Sequence, residues 1–211
     1  MFLRVLLRWF FALLYNPLAW TYDWVSWTVS VGQWRRWQRA ALNYVRPGPV
    51  LEIAHGTGNL LLDLHQAGLA PVGLDRSAAM GQIAQRKLRA QGLAIPLIRG
   101  RVQALPLASG AFASLVATFP TDFVLDPQAV AEFHRVLQPA GRLIIIPLAL
   151  ITGPALPDRL ARWLFRVTDQ ASEAWLDPLD RLYRPAGFSV QIERVRLPRS
   201  VVLVIVAEKS A

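Results

Sequence analysis

Two carboxylates and two glycines carry the chemistry that this sequence can do. Glu52 ends the apolar run Val50-Leu51, and the chain then passes Ile53-Ala54-His55 into Gly56-Thr57-Gly58-Asn59. Glycine at 56 and 58 admits positive φ and a close approach of ligand to backbone. Leu60-Leu61-Leu62 then begins a helix whose first N–H groups point back at the turn. Asp75 closes a second apolar run, Pro71-Val72-Gly73-Leu74, where an open α/β sheet sets a carboxylate against a ribose diol. A dinucleotide fingerprint needs a third small residue three places after its second glycine, and Leu61 or Asn59 stands there, which speaks against a nicotinamide cofactor. Strand, glycine turn, helix, strand and acid together specify a nucleoside site.

The elements that must position these residues alternate in type. Ser77 caps a helix from Ala78 to Gln91, closed by Gly92, and Pro96 to Arg99 is a third strand. Phe112 to Phe119 is a fourth strand, and Asp126-Pro127 opens a helix that Pro139-Ala140-Gly141 ends. Arg142 to Leu148 is a fifth strand, and Pro154 and Pro157 lead into a helix carrying Leu160, Trp163, Leu164 and Val167, with Arg159, Arg162 and Arg166 along its flank. Ser189 to Leu197 and Val201 to Ala207 form a closing hairpin. Such alternation requires a parallel α/β sheet. Thr118-Phe119-Pro120-Thr121-Asp122 falls past the carboxyl end of strand four, on the ligand-binding edge, and substrate is expected near it.

Glu52-x-Ala54-x-Gly56-x-Gly58 resembles the acid-x-Gly-x-Gly-x-Gly motif of class I S-adenosylmethionine-dependent methyltransferases, and Asp75 falls where that family places its ribose-binding acid. Gly100-Arg101-Val102-Gln103-Ala104-Leu105-Pro106 and Phe133 to Leu143 are similar to two further segments of the type 11 branch, which includes the quinone-biosynthesis methyltransferases. The resemblance implies a Rossmann-like three-layer sandwich with a mostly parallel seven-stranded sheet that ends in an antiparallel hairpin. It implies S-adenosylmethionine as cofactor, bound by Glu52, Ala54, His55, Gly56, Gly58, Asp75, Arg76, Val102, Gln103 and Thr118. A β-branched residue at Gly58, and at Gly56 with it, is expected to block that cofactor.

Two positions depart from the family pattern. Ala54 replaces the first motif glycine, and Arg101 replaces an Asp that accepts from the adenine amino group. Arginine has no acceptor, so backbone near Val102 or the Gln103 amide would take that part.

Methyl transfer from a sulfonium is an in-line displacement, served by holding nucleophile and methyl about 3–3.5 Å apart with water excluded. A base helps if the acceptor is a phenol, enol or protonated amine, and His55, Tyr22, Asp122 or His134 have the chemistry for it. Of these only His55 lies in the motif, where the family often has cysteine; a spacer in the loop is the favoured reading, and no catalytic residue is assigned. His134, beside Arg135, is expected on the surface. Segments before the first strand commonly close over the site in this family, so Tyr15, Tyr22, Trp24 and Trp27 are lid candidates; ordinary aromatic packing is the alternative.

At 211 residues, 54% hydrophobic and 18% charged, the chain can bury a sizeable core and is not a disordered sequence. The charge is +9, carried almost wholly by arginine, since Lys87 and Lys209 are the two lysines. Arginine suits phosphate oxygens, so an anionic membrane surface and nucleic acid are both candidate partners. Nucleic acid is the less favoured, because the charge is interleaved with Trp and Leu. The absence of cysteine removes disulfides and thiolate metal sites, three scattered histidines give no metal-ligand spacing, and no metal is expected.

Residues 1–46 form an aromatic, arginine-rich helical segment holding six of the eight tryptophans and the single acid Asp23; residues 47–211 form the methyltransferase domain. Arg4 and Arg8 make a membrane span from Met1 to Tyr15 costly, and Tyr15-Asn16-Pro17 offers no signal-peptide cleavage site. An in-plane helix dipping Phe2, Leu6, Trp9, Phe10 and Leu13 into lipid fits, as does a helix covering the domain itself. A second helix follows Gly32, with Trp34, Trp37, Ala41 and Leu42 on one face and Arg35, Arg36 and Arg39 off it.

The expected function is methyl transfer from S-adenosylmethionine to a lipophilic small molecule, a quinone precursor or amphiphile headgroup. The expected location is the cytoplasm, peripheral on the inner membrane face. A non-catalytic membrane-binding module that keeps the nucleoside fold, and a nucleic-acid methyltransferase, are the alternatives.

Overall fold

The computed structural model describes residues 21–167 and 176–210. The expected in-plane helix from Met1 to Tyr15, and Tyr15 itself, lie outside the described residues. Among the described residues there are eight strands, with helices between most of the consecutive parallel ones. They are β1 (Pro49–Ile53), β2 (Ala70–Asp75), β3 (Leu97–Arg99), β4 (Phe112–Thr118), β5 (Leu137–Ile146), β6 (Ala149–Ile151), β7 (Phe188–Leu197) and β8 (Ser200–Lys209).

The strands lie in the order β3-β2-β1-β4-β5-β8-β6, with β7 on the other flank of β8. From β3 to β5 all pairings are parallel, and those of β8 are antiparallel. β6 pairs with the start of β8 and β5 with its later half, so β6 continues the line of β5 beyond Pro147-Leu148. The eight strands therefore fill the seven positions expected.

The helices are α1 (Tyr22–Val29), α2 (Trp34–Arg39), α3 (Asn59–Gln66), α4 (Ala78–Ala90), α5 (Pro127–Val136), α6 (Leu156–Val167) and α7 (Leu176–Tyr183). Residues Ala40–Tyr44 and Asp122–Leu125 make 3-10 turns. Ser77 caps α4 by accepting from Met80 N–H, and Asp126 caps α5 by accepting from Gln128 N–H with Pro127 in the first turn.

Two apolar clusters flank the sheet. One joins Ala129, Val130 and Phe133 of α5 and Leu179 and Tyr183 of α7 to Leu51, Ile53, Leu115 and Ile205. The other joins Trp37, Ala40 and Ala41 to Leu60 and Leu64 of α3 and to Val50, Val116, Ile144 and Val204. Neighbours within a strand thus serve opposite faces, which is why central β4 is buried along almost its whole length. Trp37 is fully buried and donates through Nε1 to Ser200 Oγ at 2.8 Å, tying the N-terminal segment into the sheet. Among the described residues no helix is long and apolar enough to cross a membrane.

One boundary differs from the sequence reading. Pro139-Ala140-Gly141 does not end α5, which stops at Val136; it forms a bulge inside β5, where the pairing with β4 jumps from Phe112↔Leu137 to Ser114↔Arg142. Pro139 has no N–H for the ladder and Ala140 takes φ 56°, so the strand absorbs the interruption locally.

Candidate functional site

The turn after β1 is wound by three left-handed residues, Ala54 at φ 55°, Gly56 at 54° and Gly58 at 77°. Ala54 thus adopts the conformation that glycine takes freely. The turn is pinned to β2: His55 N–H donates to Leu74 O, and Gly56 N–H donates to Asp75 Oδ2 at 2.9 Å. The other oxygen of Asp75 accepts from Ser77 N–H at 2.8 Å. One carboxylate therefore orients both the glycine turn and the entry to α4.

The two glycines differ in what they face. A side chain on Gly56 would meet nothing within 4 Å, whereas one on Gly58 would stand 3.0 Å from the Ala84 Cβ of α4. Gly58 thus serves the packing of α3 on α4, and Gly56 borders the space a ligand can enter. A β-branched residue at Gly58 therefore also strains the contact of α3 with α4. Gly73, not singled out in the sequence, is another close approach, since a side chain there would come within 2.8 Å of His55 Cδ2.

Glu52 and His55 are both buried. Burial pushes the Glu52 carboxyl well above the usual carboxylate range, and the charges of Asp75 and Asp63 push it further, against one hydrogen bond from Leu61 N–H. Its Oε2 has no hydrogen-bond partner among the described residues. Burial lowers the His55 imidazole, partly offset by Asp75, and Nδ1 lies 2.9 Å from Gly56 O.

Helices α1 and α2 pack against this turn. Asp23 of α1 accepts from Thr57 Oγ1 at 2.6 Å, Asn59 Nδ2 at 3.0 Å and Lys87 Nζ at 2.7 Å, and Lys87 also donates to Asn59 Oδ1. Trp34 stacks on Phe119 with centroids 4.2 Å apart, and Tyr22 and Trp37 meet Trp34 edge-on and tilted. Tyr22, Trp34 and Gln38 face Ala54, His55, Gly56 and Thr118 across a cavity of about 20 Å³, room for roughly one water. Of the lid candidates, Tyr22 lines this cavity, while Trp24 and Trp27 are 70% and 62% exposed.

The remaining candidates spread along the same edge. Val102 is buried and Gln103 donates through Nε2 to Asp126 at 2.8 Å, leaving its Oε1 outside that bond. Arg76 and Arg101 are exposed. A second cleft, about 250 Å³, opens beside Pro120, Thr121, Asp122 and Leu125, where the sequence placed substrate. His134 is elsewhere: at the carboxyl end of α5 its ring packs edge-on against Phe188.

A family profile described as a methyltransferase domain matches residues 50–141. The chain is 34% identical over 139 residues to the demethylmenaquinone methyltransferase of Thermus thermophilus, covering 63% of each protein. It is 30% identical over 142 residues to the ubiquinone/menaquinone biosynthesis C-methyltransferase UbiE of Geotalea uraniireducens, covering 63% of this chain and 60% of the relative. It therefore spans about three-fifths of the length of these relatives. Among solved structures, a candidate S-adenosyl-L-methionine-dependent methyltransferase from Methanococcus maripaludis superposes with a TM-score of 0.70 at 18% identity, covering 93% of this chain and 94% of that one. Motif, sheet order and relatives agree: residues 50–141 form a methyltransferase domain, on the fold of the S-adenosylmethionine-dependent methyltransferases.

Proposed function

We propose that the protein transfers a methyl group from S-adenosylmethionine to a lipophilic small molecule, a quinone precursor or amphiphile headgroup, at a membrane surface. The observation that carries the cofactor reading is the joint between Asp75 and the turn, with open space at Gly56 on the carboxyl edge of the sheet. The residues present fit that cofactor: Asp75 would grip the ribose diol, the Gly56 backbone would border the chain beyond it, and Val102 and Gln103 would border the base. Ala54 takes the glycine conformation, so that departure leaves the turn intact. When bound, S-adenosylmethionine supplies a methyl group on a positively charged sulfur.

The protein's own task is then to orient and to exclude water. The cavity under α1 is about 20 Å³, and in this reading α1 lifts to admit the cofactor. Val31 at φ 53° and Gly32 at φ 75° form the link to α2, which Trp37 anchors, and that link is the hinge of this lid. Re-docking of Asp23 onto Thr57, Asn59 and Lys87 would shut the site. His55, buried with Nδ1 at a backbone carbonyl, is assigned to holding the turn. Asp122, exposed at the mouth of the second cleft, is the group assigned to take a proton from the acceptor.

The names of the relatives support a quinone precursor as acceptor. Contact with anionic lipid is supported by the charge of +9, by exposed Trp24 and Trp27 on α1, and by exposed Leu156 and Leu160 on α6. The test incubates the full chain with methyl-labelled S-adenosylmethionine and anionic vesicles containing a demethylated quinol. Label passing into the organic phase, and none with Asp75→Ala, is expected. A folded protein that binds S-adenosylhomocysteine but labels neither the quinol nor a total lipid extract overturns the reaction assigned.

A further inference from the structure

β7 is a long, uninterrupted edge strand. It pairs with β8 in unbroken register from Phe188↔Lys209 to Leu197↔Ser200, with no proline or glycine along it, and among the described residues β8 is the one strand it meets. Its middle is exposed from Gln191 to Arg194, and Ile192, at 46% exposure, holds a large apolar side chain in solvent. Such an edge is a template for a further strand.

Hydrogen-bond parity fixes what that edge presents. Leu203 N–H donates to Leu148 O, so the odd-numbered residues of β8 bond toward β5 and β6 and the even-numbered ones toward β7. In the hairpin register those even residues oppose odd-numbered residues of β7. The N–H and C=O groups of the even-numbered residues, Ile192 among them, therefore point away from β8.

Parity and charge together choose a register for a second copy. Antiparallel pairing sets outward-bonding residues opposite one another, so a twofold axis passes through a residue and not between two. With the axis at Glu193, two carboxylates meet at the closer, non-hydrogen-bonded spacing, and like charges directly opposite destabilise a sheet. Moving it to Gln191 or Arg194 shortens the overlap. With the axis at Ile192 the strands overlap from Phe188 to Arg196, the exposed isoleucines meet, Gln191 faces Glu193, Val190 faces Arg194, and no like charges are opposed.

We infer that this edge is an interface with a second copy of the chain, joined antiparallel about a twofold axis at Ile192. The outward N–H groups then meet C=O groups of the other copy, and the Gln191 amide donates to the partner's Glu193, twice by symmetry. Assembly stops at two, because β3 at the opposite end of the sheet and β6 are three residues long and offer no comparable template. The axis stands normal to the sheet, so α2 and α6, which pack on one face, lie on the same side in both copies. The exposed Leu156 and Leu160 of α6 are thereby doubled on one side of the dimer.

The sequence has no cysteine, so an introduced thiol is unique and a scan along β7 tests both interface and register. The full wild-type chain should sediment as a dimer at micromolar concentration. Ile192→Cys should oxidise to a disulfide-linked dimer, because Cα atoms of a hydrogen-bonded pair lie about 5.5 Å apart, within the reach of a disulfide. Gln191→Cys and Glu193→Cys place their copies on the diagonal, about 7–8 Å apart, and should stay unlinked. Ile192→Lys, which sets like charges on the axis, should raise the dissociation constant at least tenfold with an unchanged circular dichroism spectrum. A wild-type chain that sediments as a monomer, a dimer that folded Ile192→Lys leaves intact, or linkage at 191 or 193 equal to that at 192 overturns the interface. Should Ile192→Lys fail to fold, the cysteine scan decides alone.

Discussion

Ala54 stands in a left-handed conformation, φ 55°, at the one of three motif glycine positions where this chain has another residue. For a residue with a Cβ that conformation costs about 1–2 kcal/mol. Replacing it with glycine relieves the cost but adds about 0.4–1 kcal/mol of unfolded-chain entropy. The difference favours Ala54→Gly by roughly 1 kcal/mol, which for a chain of this length raises the melting temperature by about 2–4 °C. The neighbouring glycines supply internal controls. Gly56→Ala introduces the same strain at φ 54° with nothing within 4 Å of the new atom, so it should lose a similar amount. Gly58→Ala adds a contact 3.0 Å from Ala84 Cβ, so overpacking of about 1–3 kcal/mol comes on top of the strain. Thermal and urea unfolding of the three variants, followed by circular dichroism, measures the series. A destabilised Ala54→Gly, or a Gly58→Ala no worse than Gly56→Ala, would refute the conformations assigned to the turn.

Three further outcomes are expected. Glu52 has its folded-state carboxyl raised above the ordinary 4.5, so the folded protein holds the extra proton and stability falls as pH rises from about 4.5 toward that raised value; Glu52→Gln should flatten this slope, gaining stability near pH 8 and little near pH 4.5 in denaturant titrations. Burial raises the Asp23 carboxyl, but the hydrogen bonds from Lys87, Thr57 and Asn59 leave it below its ordinary 3.8, so its contribution is present above that pH and is lost as pH falls through the lowered value. Asp23→Ala should therefore lower stability at neutral pH and not at strongly acid pH, and loosening a latch worth about 1 kcal/mol should speed S-adenosylhomocysteine association about fivefold in stopped flow; an unchanged rate removes the lid. Deleting residues 1–14 should abolish salt-sensitive pelleting with anionic vesicles while nucleoside binding survives, and a truncated protein that aggregates, with a full chain that ignores vesicles, would assign the segment to covering the domain.

What the sequence made legible was local. An apolar run closing in an acid located β1 and β2, Ser77 and Asp126-Pro127 announced their helices, and the spacing of Glu52, Gly56, Gly58 and Asp75 located the turn. The bulge at Pro139-Ala140-Gly141 was read as a helix end, because proline and glycine mark an interruption without saying which element is interrupted. Gly58 and Gly56 look alike in a motif, and the distinction comes from Ala84, a residue of another helix. The contacts that complete the site are longer in range still: Asp23 reaches Thr57 and Lys87, and Gln38 reaches Thr118 eighty positions away. No periodicity encodes such pairs. Gly73 carried a signal that went unread: a glycine inside a strand marks a close approach, here to the ring of His55.

The central claim is that Asp75 and the glycine turn form a nucleoside site for S-adenosylmethionine, and titration calorimetry with S-adenosylhomocysteine tests it most directly. Wild-type protein should bind one equivalent, and Asp75→Ala, which removes a charged acceptor whose hydrogen bonds are worth about 1.5–3 kcal/mol, should bind at least tenfold more weakly while remaining folded. Undiminished affinity in folded Asp75→Ala, or no binding by folded wild-type protein, would contradict the account.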